Sequence, residues 1–377
     1  MNNRLVDLST NYFIYKYKEE KMGRKMLFGM YMGLVSIIVA GCLKAESLRE
    51  KIRERVIERA IEKREEEKGK SIEEYPVIEE KYSSYTESKY SSGDYRRNLQ
   101  FGGRKRFYEI HVPPQYNKTN PTPVVINLHG GGGSPSQQRH DSQMDKVSDA
   151  NGFIVVYPAG TPATKIQEKF LVWNGGTYCG GVAVRNNIDD VGFINFLISD
   201  LSTIFNIDQK RIYTTGYSQG GFMCYKLAFE LSDKIAAIAP VEAVLSDPPS
   251  STYKPKRPIS VIHFHGKEDK NVPYEGGVGE KAKEKISRPS VKDTIKYFVE
   301  FNKCSSQPKV FQKGNAVCET YSLGTNGTEV VLWTLNDGGH TWPGGLTSMS
   351  EEKLGKVNKD ISASELMWEF FKKHPMQ

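Results

Sequence analysis

Several kinds of feature are missing from this sequence, and each absence narrows its function. No cluster of Lys and Arg interleaved with aromatics occurs. The formal charge of +7 is instead spread through mixed-sign runs, which argues against a nucleic-acid surface. No Gly-x-x-x-x-Gly-Lys is present, so a phosphate-cradling loop is not expected. Cysteine and histidine never fall at zinc spacing, so no metal is expected, and nothing calls for a cofactor. The longest apolar run, Met26 to Ala40, is short for a membrane span.

What is present is enough chain for one large α/β domain plus an appendage. There are 377 residues, 38% hydrophobic and 26% charged, so a full core is available but part of the chain must be very polar. Gly23-Arg24-Lys25 before Met26–Ala40 reads as the basic and apolar regions of a signal peptide. The run closes in Val39-Ala40-Gly41-Cys42, the pattern of a lipoprotein cleavage site, with Cys42 lipidated as the mature N-terminus. An uncleaved membrane anchor is the alternative. Met22 is then a candidate start, and residues 1–41 form an N-terminal extension and signal peptide. Residues 42–95 read as a lipid-anchored charged helix and flexible linker. Leu48, Ile52, Val56 and Ala60 mark a thin apolar stripe on that helix, and Tyr/Ser-rich residues 71–95 form the linker. Residues 96–377 form the main domain.

Within that domain, strand and helix signals alternate. Arg106 to Val112 alternates and predicts an edge strand. Val124 to Leu128, Phe153 to Tyr157, Ile235 to Ala239, Ile259 to Phe264 and Glu329 to Leu335 predict buried strands. Val191 to Phe205 predicts a helix, capped by Asp189 and Asp190. Ser362 with Glu365 predicts a capping box for a last helix. This order predicts a mostly parallel central sheet with helices on both faces.

The chemistry centres on Gly216-Tyr217-Ser218-Gln219-Gly220, a Gly-x-Ser-x-Gly turn between a β-branched strand and a helix. That context makes it the nucleophile elbow of an α/β-hydrolase fold. A serine needs a base to take its proton, and the base needs an acid to orient it. In this fold the chain order is serine, acid, histidine. His340 lies in a loop straight after a predicted strand and is the expected base. Asp269, after the strand Ile259–Phe264, is the expected acid, and Glu268 its nearest rival. An oxyanion hole needs two backbone amides. Gln219 follows the nucleophile, and the glycine loop after His129 supplies the other.

These pieces together resemble the polyhydroxybutyrate depolymerase and feruloyl esterase group of α/β-hydrolases (carbohydrate esterase family 1-like). The matching stretches are Leu128-His129-Gly130-Gly131-Gly132, Trp173-Asn174-Gly175-Gly176, Asp189-Asp190-Val191-Gly192-Phe193, the Ser218 elbow, His265-Gly266 through Val272-Pro273-Tyr274, and His340-Thr341-Trp342-Pro343-Gly344-Gly345. The resemblance implies Gly131 as the second oxyanion amide and Trp342 beside the substrate. His129, Trp173 and Tyr217 are expected to line the substrate site with it. It implies a serine esterase acting on feruloyl, acetyl or hydroxyalkanoate oligomer esters. Polymer-degrading members carry a separate binding domain, and none is read in these residues, so action on insoluble polyester is not expected. A prolyl-oligopeptidase-type peptidase and a catalytically silent ligand-binding lipoprotein are the competing readings. Export implies oxidised cysteines. Setting Cys42 aside, Cys304 and Cys318 enclose a short segment and would pair, leaving Cys179 with Cys224. Buried free thiols are the alternative. The expected partners are a small or oligomeric ester and, through Cys42, a membrane facing the periplasm or cell exterior. The oligomeric state is not read from the sequence.

Overall fold

The computed structural model describes residues 77–78, 90–163, 168–347 and 349–377. The expected signal peptide, Cys42 and the charged helix lie outside the described residues. No described helix is long and apolar enough to cross a membrane.

In chain order the strands are β1 (Val77–Ile78), β2 (Gly93–Phe101), β3 (Arg104–Val112), β4 (Thr122–Leu128), β5 (Ile154–Pro158), β6 (Thr161–Pro162), β7 (Leu171–Val172), β8 (Ile207–Tyr217), β9 (Ala237–Val241), β10 (Ser260–Gly266), β11 (Lys309–Lys313), β12 (Ala316–Tyr321) and β13 (Val330–Leu335). Eleven of them form one sheet in the order β1-β2-β3-β5-β4-β8-β9-β10-β13-β12-β11, and β6 pairs β7 separately. From β5 through β13 every neighbouring pair is parallel. Antiparallel pairs flank this block on both sides.

The parallel block is apolar because both its faces are covered, so its strands read as continuous hydrophobic runs. Alternation along β4 and β5 shows the two faces. Val124, Ile126, Ile154 and Val156 pack with Phe193, Leu197, Met223 and Phe298. Those partners come from the helices α4 (Asp190–Ile204), α5 (Gln219–Glu230) and α6 (Val291–Asn302). Val125, Val155 and Tyr157 point the other way. They pack with Met144, Val147, Trp368 and Phe371, which come from α2 (Met144–Asn151) and α8 (Ala363–Phe371), with α1 (Pro135–Ser142) close by. The short α3 (Val182–Arg185) and α7 (Glu351–Leu354) sit in loops.

Three expectations need correction here. β3 is not an edge strand, because β2 pairs along its whole length. The sheet also begins inside the segment read as linker, since β1 and the start of β2 fall within residues 71–95. Asp190 is no cap. Asp189 alone caps α4, accepting from the Gly192 amide at 2.8 Å, while Asp190 is buried in an ion pair described below.

Candidate active site

β8 leads the chain to the carboxyl end of the sheet, and α5 carries it away from Ser218. The turn between them is so tight that Ser218 has φ 54° and ψ −116°, a conformation costly for any residue with a Cβ. Its neighbours must be glycine. A Cβ on Gly216 would lie 2.6 Å from the Gly220 carbonyl, and one on Gly220 would lie 2.2 Å from Leu128 O. The strain is held by the Ser218 amide, which donates to Val241 O at 2.9 Å. The hydroxyl is thereby placed at the positive end of α5.

Two loops from neighbouring strands complete a line of side chains. His340 follows β13 and Asp269 follows β10. His340 Nε2 lies 2.9 Å from Ser218 Oγ, and His340 Nδ1 lies 2.7 Å from Asp269 Oδ2. Asp269 is 4% exposed. Burial alone would raise its carboxyl. The His340 ring and a hydrogen bond from His265 outweigh that and hold it well below the usual carboxylate range. Its other oxygen, Oδ1, accepts the amides of Asn271 at 2.7 Å and Val272 at 2.9 Å. Glu268 is exposed and takes no part in this line. The Tyr217 hydroxyl donates to the His340 carbonyl and fixes the backbone of that loop.

Beside Ser218 lie the two expected oxyanion amides. Among the described residues, neither the Gly131 N–H nor the Gln219 N–H has a protein acceptor. A Cβ on Gly131 would lie 2.6 Å from the Gln219 side chain, so a larger residue there would have to displace that side chain. That side chain accepts the Trp173 amide at 3.3 Å, which ties the glycine loop to the stretch around Trp173.

Beneath this surface a buried chain of contacts supports the loop. Arg106 on β3 pairs with Asp190 at 2.8 Å, both side chains almost fully buried. Burial pushes the Asp190 carboxyl up and the Arg106 guanidinium down, against their mutual attraction. Asp190 accepts the Asn174 amide at 2.7 Å. The next residue back, Trp173, donates its indole N–H to His129 O at 3.0 Å. His129 accepts the Gly160 amide at Nε2, 3.0 Å, leaving its Nδ1–H for Gly130 O at 2.8 Å. Burial pushes the His129 imidazole down to about 4, so the ring is neutral.

These contacts correct the expected substrate residues. His129, Trp173 and Trp342 are 1%, 0% and 3% exposed. All three lie under the site, with their polar atoms committed inside the protein; the Trp342 indole donates to Ser364 Oγ at 3.1 Å. Of the expected set, Tyr217 alone is partly exposed. The expected disulfides are also corrected. Cys179, Cys224, Cys304 and Cys318 are all free thiols. Cys224 Sγ faces Thr214 Oγ1 at 3.6 Å, Cys304 Sγ faces Thr328 O at 3.7 Å and Cys318 Sγ faces Thr320 Oγ1 at 3.6 Å. Burial pushes the Cys179 and Cys224 thiols up to about 12.

Two groups of ligand-type atoms come together among the described residues: Asp94, His111 and Asp145, and Glu242, His265 and Asp269. Arg139 neutralises the first by pairing with both aspartates. In the second, His265 Nε2 lies 3.4 Å from an oxygen of each carboxyl. The sequence reading missed its Glu242, although Glu242 is the one charge in the apolar run from Ile235 to Leu245. That isolation was the available signal.

Fold and geometry define an α/β-hydrolase, with a serine at the elbow, a histidine within hydrogen-bond reach and a buried acid behind it. A model of the phospholipase/carboxylesterase family matches residues 186–313, which carry Ser218 and Asp269 but end before His340. Feruloyl esterase B of Piromyces equi is 32% identical over 234 residues, covering 61% of this chain and 42% of that one. The Nocardia uniformis subsp. tsuyamanensis protein named "Putative esterase NocK" is 27% identical over 293 residues, covering 73% of this chain and 81% of that one. Among solved structures, the acetyl xylan esterase from Aspergillus awamori is similar at a TM-score of 0.43 and 14% identity, over 63% of this chain and 92% of that one. The chain spans less than half the length of the Piromyces enzyme. In sequence it is similar to feruloyl esterases.

Proposed function

We propose that this chain is an exported serine esterase that cleaves feruloyl, acetyl or hydroxyalkanoate-type esters through an acyl-enzyme. The observation that carries the reading is the unbroken line from Ser218 Oγ to His340 at 2.9 Å and from His340 to Asp269 at 2.7 Å. His340 takes the Ser218 proton as the oxygen attacks the ester carbonyl. The amides of Gly131 and Gln219 receive the oxyanion that forms. His340 then gives the proton to the departing alkoxide, and the alcohol leaves. Water, activated by the same histidine, hydrolyses the acyl-serine to the acid and free enzyme. Asp269 keeps its charge throughout and stabilises the imidazolium.

The feruloyl and acetyl choices are supported by the names of two sequence relatives, the Piromyces feruloyl esterase and a bifunctional acetylxylan esterase/xylanase of Neocallimastix patriciarum. A panel of methyl ferulate, p-nitrophenyl acetate, p-nitrophenyl butyrate, hydroxybutyrate oligomers and a peptide anilide tests them. Turnover of esters with an inert anilide is expected. Preferential cleavage of the anilide would reassign the chain as a peptidase.

Export and anchoring rest on Met26–Ala40 and Val39-Ala40-Gly41-Cys42. Two or more acyl chains at Cys42 would hold the protein on a membrane. Cys42→Ala should abolish processing or release the protein from the membrane fraction. Unchanged processing and fractionation would contradict the anchor.

A further inference from the structure

One charged side chain at this end of the sheet has no part in the reaction above. Glu242 follows β9, the strand between the one ending at Ser218 and the one leading to Asp269. It is 1% exposed and has φ 50°, a conformation rarely kept by a residue other than glycine unless its surroundings hold it. Here they do. The Glu242 amide donates to Phe264 O at 3.0 Å, and its carboxyl accepts the Gly266 amide at 2.9 and 3.2 Å. An oxygen of Glu242, an oxygen of Asp269 and a ring nitrogen of His265 all lie within 4.8 Å of one another.

Two buried carboxylates this close repel, and one of them tends to take a proton. Their partners decide which. Asp269 receives two backbone amides and the His340 ring. Glu242 receives the Gly266 amide, with His265 Nε2 3.4 Å away. Among the described residues, no lysine or arginine forms an ion pair with Glu242. Tyr225 Oη lies 2.7 Å from His263 Nδ1 and His263 Nε2 lies 3.1 Å from His265 Nδ1, while His265 Nε2 donates to Val272 O at 2.8 Å. The Val272 carbonyl thus holds the His265 Nε2–H, and Glu242 lies beyond hydrogen-bond reach of a better donor than the Gly266 amide. Tyr217, facing from β8, spends its hydroxyl on the His340 carbonyl. The Arg288 guanidinium is turned to the carbonyls of Tyr178 and Ile286.

We propose that Glu242 is a positioning residue that carries a proton and donates it in a hydrogen bond to the Asp269 carboxylate, so that the two acids present one negative charge to His340. Burial first, and the Asp269 charge second, push the Glu242 carboxyl well above its ordinary range. The bond orients Asp269. The role deepens the serine-esterase reading and rests on it.

Infrared spectroscopy of the whole protein at neutral pH tests the protonation without using activity. The difference between wild type and Glu242→Gln should contain the carbonyl stretch of a protonated carboxyl; its absence overturns the proposal even if the protein proves inactive as an esterase. Kinetics tests the role. Glutamine keeps both the donor and the acceptor of a protonated glutamate, so Glu242→Gln should hold kcat/KM within about twofold and leave the acidic limb of its pH profile in place. A downward shift of that limb by about one unit or more would mean that a buried negative charge had been removed, and would overturn it. Glu242→Leu should lose about 10–100-fold in kcat with KM little changed, as expected when a hydrogen bond to a buried charge is lost. Wild-type kcat in a folded Glu242→Leu protein would also overturn it.

Discussion

Two of the buried aspartates among the described residues, Asp190 and Asp269, face opposite kinds of partner. Asp190 pairs with Arg106 at 2.8 Å, and Asp269 pairs with His340 at 2.7 Å. Each partner is a nitrogen base, and each carboxyl also accepts backbone amides. The difference lies in the partner's proton. A guanidinium keeps its charge at any working pH, so Asp190–Arg106 cannot take part in proton transfer and serves as a joint between β3, α4 and the loop at Trp173. An imidazole gains and loses a proton near neutrality, so the Asp269 pair can drive chemistry when a hydroxyl lies on the far side of the ring. Ser218 Oγ is that hydroxyl. Among the described residues, the other contacts of Arg106 are the Ala159 carbonyl and the Phe193 and Trp173 rings, and none of them is a hydroxyl to activate.

The contrast can be broken experimentally, and the largest effects fall on the His340 side. Ser218→Ala and His340→Ala should each lower kcat by about 10⁶-fold with the fold intact, because the members act as a unit. Asp269→Asn should cost about 10⁴-fold, since the wrong tautomer of His340 is then favoured. Steady-state turnover together with circular dichroism checks all three. Arg106→Met should act on the other side of the contrast. It leaves a buried carboxylate unpaired and should cost about 3–5 kcal/mol of stability in denaturant unfolding. Adding Asp190→Leu should recover much of that loss. Unchanged stability in Arg106→Met would remove the distinction between joint and engine. The smallest effect is expected at Glu268→Gln. Its side chain is exposed beside Asp269, and turnover should stay within about twofold. A crippled Glu268→Gln with a mild Asp269→Asn would exchange their roles.

How much of this the sequence carried depends on what each residue must do alone. Buried parallel strands announce themselves as apolar runs, and Val124–Leu128 and Ile259–Phe264 lie where the runs put them. The elbow is legible because its Gly-x-Ser-x-Gly spacing sits between a β-branched strand and a helix, with Gly216 forced by the Gly220 backbone four residues on. Flanking strands were not legible. β2 is a half-exposed, polar strand, and every residue of β11 is exposed; neither carries an apolar period. Aromatic side chains were misassigned for a related reason. Trp173 and Trp342 look the same in sequence whether they face substrate or core, and only the packing turns them inward. Asp190 and Glu242 were missed because their partners, Arg106 and Asp269, are remote in sequence and meet them only through the fold. The cysteine pairing failed likewise, since spacing along the chain does not fix where a thiol points.

The central claim is that Ser218 is a nucleophile activated by His340. Labelling with a fluorophosphonate, followed by intact mass and peptide mapping, tests it most directly. One adduct per chain, on the peptide containing Ser218, is predicted for wild type, with none on Ser218→Ala and strongly slowed labelling of His340→Ala. Equal labelling of wild type and Ser218→Ala, or an adduct mapped to another serine, would contradict it.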